Sequence, residues 1–91
     1  MDVVRAFADG YDEKAKDIRE DHEAKNWEDY RTRVHALKST AKMIGAMSLA
    51  EDALGQENAA KEVNLEALES GYQPLMEHYD RVVAIIRKAL K

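Results

Sequence analysis

The chain has no cysteine, one proline and four glycines in 91 residues. Without cysteine there is no disulfide frame, no thiolate zinc site and no thiol nucleophile, and the redox compartment is left open. With so little glycine and proline, turns are few, and the abundant Ala, Leu, Glu and Lys all favour helix. Long apolar runs are missing too. A stretch such as Val82-Val83-Ala84-Ile85-Ile86 is as long as they get, far below the roughly 20 residues of a membrane span. Asp2, Arg5 and Asp9 interrupt the start, so no secretory leader is expected. Basic charge is in deficit: the net charge of −4 argues against general nucleic-acid binding, which needs a basic footprint. The length fits one domain over residues 1–91, large enough to hold a modest core without covalent staples.

What is present is apolar spacing at helical period, four times over. Val4, Phe7, Tyr11, Ala15, Ile18 and His22 share one face of a first helix over Asp2 to Glu23, with Asp2 as N-cap and Gly10 unexplained in its middle. Lys25-Asn26 forms the turn, and Asn26 caps a second helix from Trp27 to about Ile44. Trp27, Tyr30, Val34, Leu37, Ala41 and Ile44 form its stripe. Gly45 is a left-handed stop, and Ser48-Leu49-Ala50-Glu51 reads as a capping box opening a third helix. That helix carries Leu49, Ala53, Ala60 and Val63, with Gln56 on the same stripe. Asn64 caps the last helix, whose stripe is Leu65, Leu68, Tyr72, Leu75, Tyr79, Val82, Ile86 and Leu90. Pro74 removes a backbone donor and is expected to kink this helix near Ser70-Gly71. The expected fold is all-α, an antiparallel up-down four-helix bundle.

A bundle has no function of its own, so function must be sought in a site. At about 100° per residue, His35 lies roughly 130° from the core direction of the second helix, on its solvent side. Lys38 and Ser39 are its surface neighbours, with Arg31 one turn before and Lys42 two turns after. From Tyr30 to Ala50 there is no Asp or Glu, while Arg31, Arg33, Lys38 and Lys42 give +4 over 21 residues; the remainder sums to −8. An exposed histidine in a basic, carboxylate-free stretch suits an anionic partner. Neutral imidazole is a competent nucleophile near pH 7. A lysine beside it can stabilise charge on the oxygens of a phosphoryl group in transfer.

The segment His35-Ala36-Leu37-Lys38-Ser39-Thr40-Ala41, followed by Met43-Ile44-Gly45-Ala46, resembles the signature of histidine phosphotransfer (HPt) domains, His-x-Leu-Lys-Gly-x-Ser/Ala in a long helix. Asn26-Trp27 stands where that family often has Asp-Trp. Leu49, Ala53, Glu57 and Ala59 follow its next helix, and Tyr79 its last, so the resemblance covers essentially the whole chain. It implies that His35 is phosphorylated by the aspartyl phosphate of a receiver domain and hands the group to another receiver. It implies that Lys38 holds the phosphate, and that Arg31, Ser39, Thr40 and Lys42 line the phosphate and receiver surface. Ser39 departs from the family's glycine but remains small. Gln56 falls about where some members have a glutamine near the active histidine; its bland reading is a boundary residue. Ala36, Ser39, Thr40 and Met43 are small or flexible enough for close docking. The resemblance further implies a monomeric phosphocarrier in the cytoplasm, free or as the cytoplasmic part of a membrane-bound hybrid sensor kinase. Mg²⁺ would come with the receiver. The sequence offers no cofactor or metal site, and with no Gly-rich loop or Walker motif it offers no ATP site.

Two rivals differ in class. A di-metal bundle needs Glu-x-x-His, but Arg19, Thr32 and Leu75 precede His22, His35 and His78 by three residues. His22 then reads as a satisfied boundary residue and His78 as solvated. Met43, Met47 and Met76 read as core filler or boundary. The alternative to phosphotransfer is a non-catalytic helical interaction module.

Overall fold

The computed structural model describes residues 2–90. They form five helices: α1 (Val3–Asp9), α2 (Tyr11–Glu23), α3 (Trp27–Met43), α4 (Met47–Glu62) and α5 (Leu65–Ala89). The expected first helix is thus two, divided at Gly10. Backbone bonds still pass through the break, from Gly10 N–H to the Ala6 carbonyl and from Lys14 N–H to the Gly10 carbonyl. Gly is a weak helix residue at an interior position, and the interruption falls where propensity is lowest.

Asp2 caps α1, its carboxylate accepting from the N–H groups of Val4 and Arg5 at 3.1 Å. Asn26 caps α3 through the Asp29 N–H at 3.4 Å, and Asn64 caps α5 through the Ala67 N–H at 3.2 Å. The expected capping box at Ser48 is corrected. Helix α4 already starts at Met47, after Ala46, with no side-chain cap. The reason lies in the preceding turn. Gly45 is left-handed at φ 82°, and Ala46 N–H reaches back to the Ala41 carbonyl at 2.8 Å. One residue therefore closes α3 and opens α4, which leaves Ser48 inside the first turn. The same closing pattern recurs at Lys25 (φ 58°) and Val63 (φ 51°), with Asn26 N–H on the Asp21 carbonyl and Asn64 N–H on the Ala59 carbonyl. The α2–α3, α3–α4 and α4–α5 connections are all Schellman turns.

The helices pack as a bundle in which α3 lies most extensively on α4, α4 on α5, α2 on α3, and α1 on α5. Tyr30, Tyr79, Ile18, Leu49, Leu68, Leu75, Val34 and Val83 are the largest fully buried side chains. The α3 stripe lies inward as expected. Val63 does not: it forms the left-handed end of α4 and is 55% exposed. In α5 the buried positions run Leu75, Tyr79, Val83, so the inner face passes to Val83 while Val82 is half-buried; successive four-residue steps drift around a 3.6-residue helix. Leu65 and Leu90 are exposed. Pro74 lies inside the continuous α5. No helix among the described residues is long and apolar enough to cross a membrane.

The buried polar residue Gln56 ties three helices together. Its Oε1 accepts from the Tyr30 hydroxyl at 2.6 Å, and its Nε2 donates to the Ala67 carbonyl at 3.0 Å. A Cβ at Gly71 would fall on that Nε2. Beside it, His22 Nε2 donates to the Leu68 carbonyl at 3.0 Å, and its ring stacks on Tyr72 with centroids 3.9 Å apart. His22 is the satisfied boundary residue expected of it. His78 is not solvated as expected: Nδ1 sits 2.7 Å from an Asp52 carboxylate oxygen, and its side chain is 20% exposed.

Three substitutions test these contacts by their effect on stability. Helix-interior Gly→Ala normally stabilises, and Gly55→Ala, with open space at the new Cβ, should raise stability by about 0.5–1 kcal/mol. Gly71→Ala should instead cost about 1–3 kcal/mol by displacing the Gln56 amide. Val63→Gly should stabilise by about 1 kcal/mol, since it removes a β-branched residue from the left-handed region. Urea denaturation of the variants measures all three.

Candidate functional site

His35 lies on α3 away from the core, with its side chain 57% exposed. The charge pattern suggested a carboxylate-free surroundings. The structure corrects this, because Glu57 of α4 stands between His35 and Lys38. Its Oε2 is 2.8 Å from His35 Nδ1, and its Oε1 is 2.7 Å from Lys38 Nζ. Lys38 is held low, its side chain only 16% exposed. Partial burial works to raise the Glu57 carboxyl pKa. Hydrogen bonds from Lys38 and His35, together with their charges, outweigh it, and the net shift is downward. Glu57 is therefore ionised near neutrality, and an ionised carboxylate only accepts. Nδ1 of His35 must carry its proton, so in the neutral ring the free lone pair is on Nε2.

The other basic residues divide. Arg33 is turned to α2, with Nε 2.6 Å from Asp21 and Nη1 3.3 Å from Asp17. Its charge is compensated on the side opposite the expected patch. Arg31 and Lys42 are exposed and make no ion pair among the described residues. Ser39 is exposed. The Thr40 hydroxyl donates back to the helix, to the Ala36 and Leu37 carbonyls at 3.1 Å, so its proton is committed there. Met43 is not core filler. It is 65% exposed, and Met47 is 55% exposed. Met43 sits two turns beyond His35 on the same side of α3, beside Ser39.

Gln56 is also corrected. It does not reach the His35 surface. It is 4% exposed and hydrogen-bonded within the interior, so its amide is closed to a phosphate or a docked protein. Its neighbour Glu57 holds the surface position instead. Hairpin symmetry was the signal for this: a turn centred near Gly45-Ala46 sets residue 35 level with residue 57. Charge arithmetic along the chain could not see it, because the carboxylate arrives from another helix. Among the described residues, no group of three or more His, Asp or Glu is gathered to hold a metal ion.

The family model described as Hpt domain matches residues 2–89. This chain belongs to the Hpt domain family. Comparison with curated proteins gave no match, nor did comparison with solved structures. As an Hpt domain the chain has a phosphotransfer role in two-component signalling, and it acts with receiver domains as a phosphocarrier without kinase activity of its own.

The lowered Glu57 pKa has a sign that can be tested. A carboxylate with a folded pKa below its unfolded value adds stability above the ordinary glutamate range. That contribution disappears as pH falls through the lowered value. The carboxyl carbon of Glu57, followed by NMR, should titrate below about 4.3, the usual glutamate value. In Lys38→Met its midpoint should rise. An unmoved midpoint would show that Lys38 does not hold the carboxylate in solution.

Proposed function

We propose that His35 is the phosphoryl carrier of this Hpt domain. Nε2 attacks the phosphorus of a receiver's aspartyl phosphate, the bond from phosphorus to the carboxylate oxygen breaks, and the receiver's aspartate is regenerated. A second receiver's aspartate then takes the group from Nε2. The observation that carries this reading is the Nδ1 contact to Glu57 at 2.8 Å. It puts the lone pair on the ring nitrogen that Glu57 does not engage, on a largely exposed imidazole.

Glu57 acts here as a positioning residue, fixing the tautomer and orientation of the ring much as a carboxylate does for a catalytic histidine. Lys38 is the cation for the equatorial oxygens of the transferring group. In the unphosphorylated state its charge rests on Glu57, and it must be shared with or handed to the phosphoryl group. Arg31 and Lys42, with no carboxylate partner among the described residues, extend the positive surface along α3. Ala36, Ser39 and Met43 leave room for the receiver to approach, and Thr40 supports the same face through its backbone-bonded side chain. Mg²⁺ for the in-line transfer is assigned to the receiver. The chain acts as a monomeric module of an up-down four-helix bundle, with α1 and α2 as one arm and α5 kinked near Pro74.

The test is transfer from a phosphorylated receiver, scored as acid-labile, base-stable label on this chain. Wild type should take label and His35→Gln none. Lys38→Ala should keep its fold, because an ion pair near the surface stabilises little, but transfer on the order of ten- to a hundredfold more slowly. Label on His35→Gln equal to wild type would remove His35 from the role. Absence of label on wild type would favour a non-catalytic interaction module.

A further inference from the structure

Phosphotransfer at the α3–α4 groove leaves the two ends of the bundle without a role, and the ends hold most of the exposed apolar side chains. The bundle is 39 Å long and 21 Å across. One end is formed by the start of α1, the α3–α4 turn and the last turns of α5, the other by the α2–α3 and α4–α5 turns. Among the described residues eight large apolar side chains are exposed. Val3, Met43, Met47, Ile85 and Leu90 lie at the first end, Val63 and Leu65 at the second, and Leu54 between them. Val63 is the least expected of these. It is left-handed at φ 51°, a conformation that β-branched residues avoid. At 55% exposed, its side chain gains little from the fold, and glycine would hold the turn at lower cost. A strained residue whose side chain faces water points to a use outside the core of its own chain.

The first end has a receptor for such a side chain. Val4 of α1, Ile44 and Ala46 of the α3–α4 turn, and Val82, Ile85 and Ile86 of α5 line an apolar groove of about 190 Å³. A cavity of about 150 Å³ already admits benzene, so a branched aliphatic side chain fits. Charge divides along the same axis. Lys42, in the last turn of α3, and Arg81 and Lys88, one turn before and after Ile85, are exposed and make no ion pair among the described residues. Asp2 is matched by Arg5 at 3.8 Å, and Glu51 of α4 leaves the sum positive. The second end presents Glu62-Val63-Asn64-Leu65-Glu66, all exposed. With Glu23 and Glu28 beside the α2–α3 turn, its carboxylates outnumber Lys25 and Lys61. One end is thus apolar and basic, the other apolar and acidic.

We propose that the two ends are the complementary halves of one contact between copies of this chain. Val63 and Leu65 of one copy seat in the groove of a second, with Glu62 and Glu66 against its Lys42, Arg81 and Lys88. Such a contact is head-to-tail and does not close in a pair, so it extends into open rows of copies. An end 21 Å across offers less than the roughly 800 Å² per partner of a stable interface. Association is therefore weak and concentration-dependent, and each copy remains a complete phosphotransfer unit, with His35 and Glu57 on the side of the row. The contact does not rest on the role of His35, and neither does its test.

The test is sedimentation of the full chain over a concentration series. The average mass should rise with concentration and fall with added salt. Val63→Gly, which should be the more stable protein in urea, should associate about tenfold more weakly, the effect of leaving one aliphatic side chain out of the contact. Leu65→Ser, at the same end, serves if Val63→Gly fails to fold. Ile85→Ser should weaken association from the groove side. A mixture of Val63→Gly and Ile85→Ser retains one intact groove and one intact Val63, and should form a one-to-one pair that grows no further, with NMR shifts in labelled Val63→Gly at Ile44, Ala46 and Val82. A wild type that stays monomeric into the millimolar range would overturn the proposal and leave the groove to a different partner. So would association of Val63→Gly equal to that of wild type, or a mixture without shifts at the groove.

Discussion

The close approach of α4 to α3 is the constraint on which the rest of the structure depends. The buried residues of α4 are Leu49, Ala50, Ala53, Gln56, Ala59 and Ala60, mostly with side chains of a single carbon. Interaxial distance follows the size of the side chains at the contact, so an alanine-lined helix comes in close. Only at short range does a glutamate side chain from α4 reach both His35 and Lys38 across the groove. The turn at Gly45 sets the register of that hairpin, and its left-handed conformation is easy for glycine. A larger α4 face would leave the histidine exposed but unoriented.

Closeness also decides the electrostatics. Read along the chain, the segment around His35 is basic. Read in space, Arg33 is neutralised by α2 and Lys38 by α4, and the α3 cations left without an ion pair among the described residues are Arg31 and Lys42 at the two ends of the exposed face. For the carrier role proposed for His35, in which a doubly charged group is accepted and later released, this arrangement is better matched than a bare cluster of positive charge. A strong fixed field would hold the phosphoryl group as a ground-state ligand, and binding that is equal in ground and transition states gives no acceleration. In the proposed role, a lysine shared with Glu57 would give its charge up to the phosphoryl group only by weakening an existing ion pair, which would temper the stability of the phosphorylated state.

Much of this was legible from residue order. The apolar stripe of α3, the caps at Asp2, Asn26 and Asn64, the left-handed Gly45 and the exposure of His35 all follow from local rules, because each depends on neighbours within a turn or two. What was not legible is what depends on another helix. Ser48 has the sequence of a cap, but the turn before it takes only Ile44, Gly45 and Ala46, and the helix begins without it. Lys25 and Val63 adopt left-handed turns that their side chains disfavour, because the hydrogen bonds closing each helix and the packing on either side outweigh the local preference. Glu57 carries no mark in its own helix that separates it from other surface glutamates. Gln56 was visible as an anomaly, a polar residue on an apolar stripe. Assigning it to the surface or the core needed Tyr30 and the Ala67 carbonyl to be in place.

Residues 56 and 57 together show why the interior and the site cannot be separated. They are adjacent on α4, about 100° apart around the helix, and they point to different networks. Gln56 is fixed inside by Tyr30 and Ala67, at a place where only the bare backbone of Gly71 leaves it space. A buried amide with both ends bonded resists rotation or sliding of the helix, because any slip leaves its donor, its acceptor or the tyrosine hydroxyl unpaired in the core. Apolar contacts among alanines would tolerate a small slip far better. With Gln56 locked, the direction of Glu57 is locked, and with it the ring orientation of His35. The buried polar pair thus does for the surface histidine what alanine packing alone could not: it fixes the rotational setting of α4 to within the tolerance of a hydrogen bond.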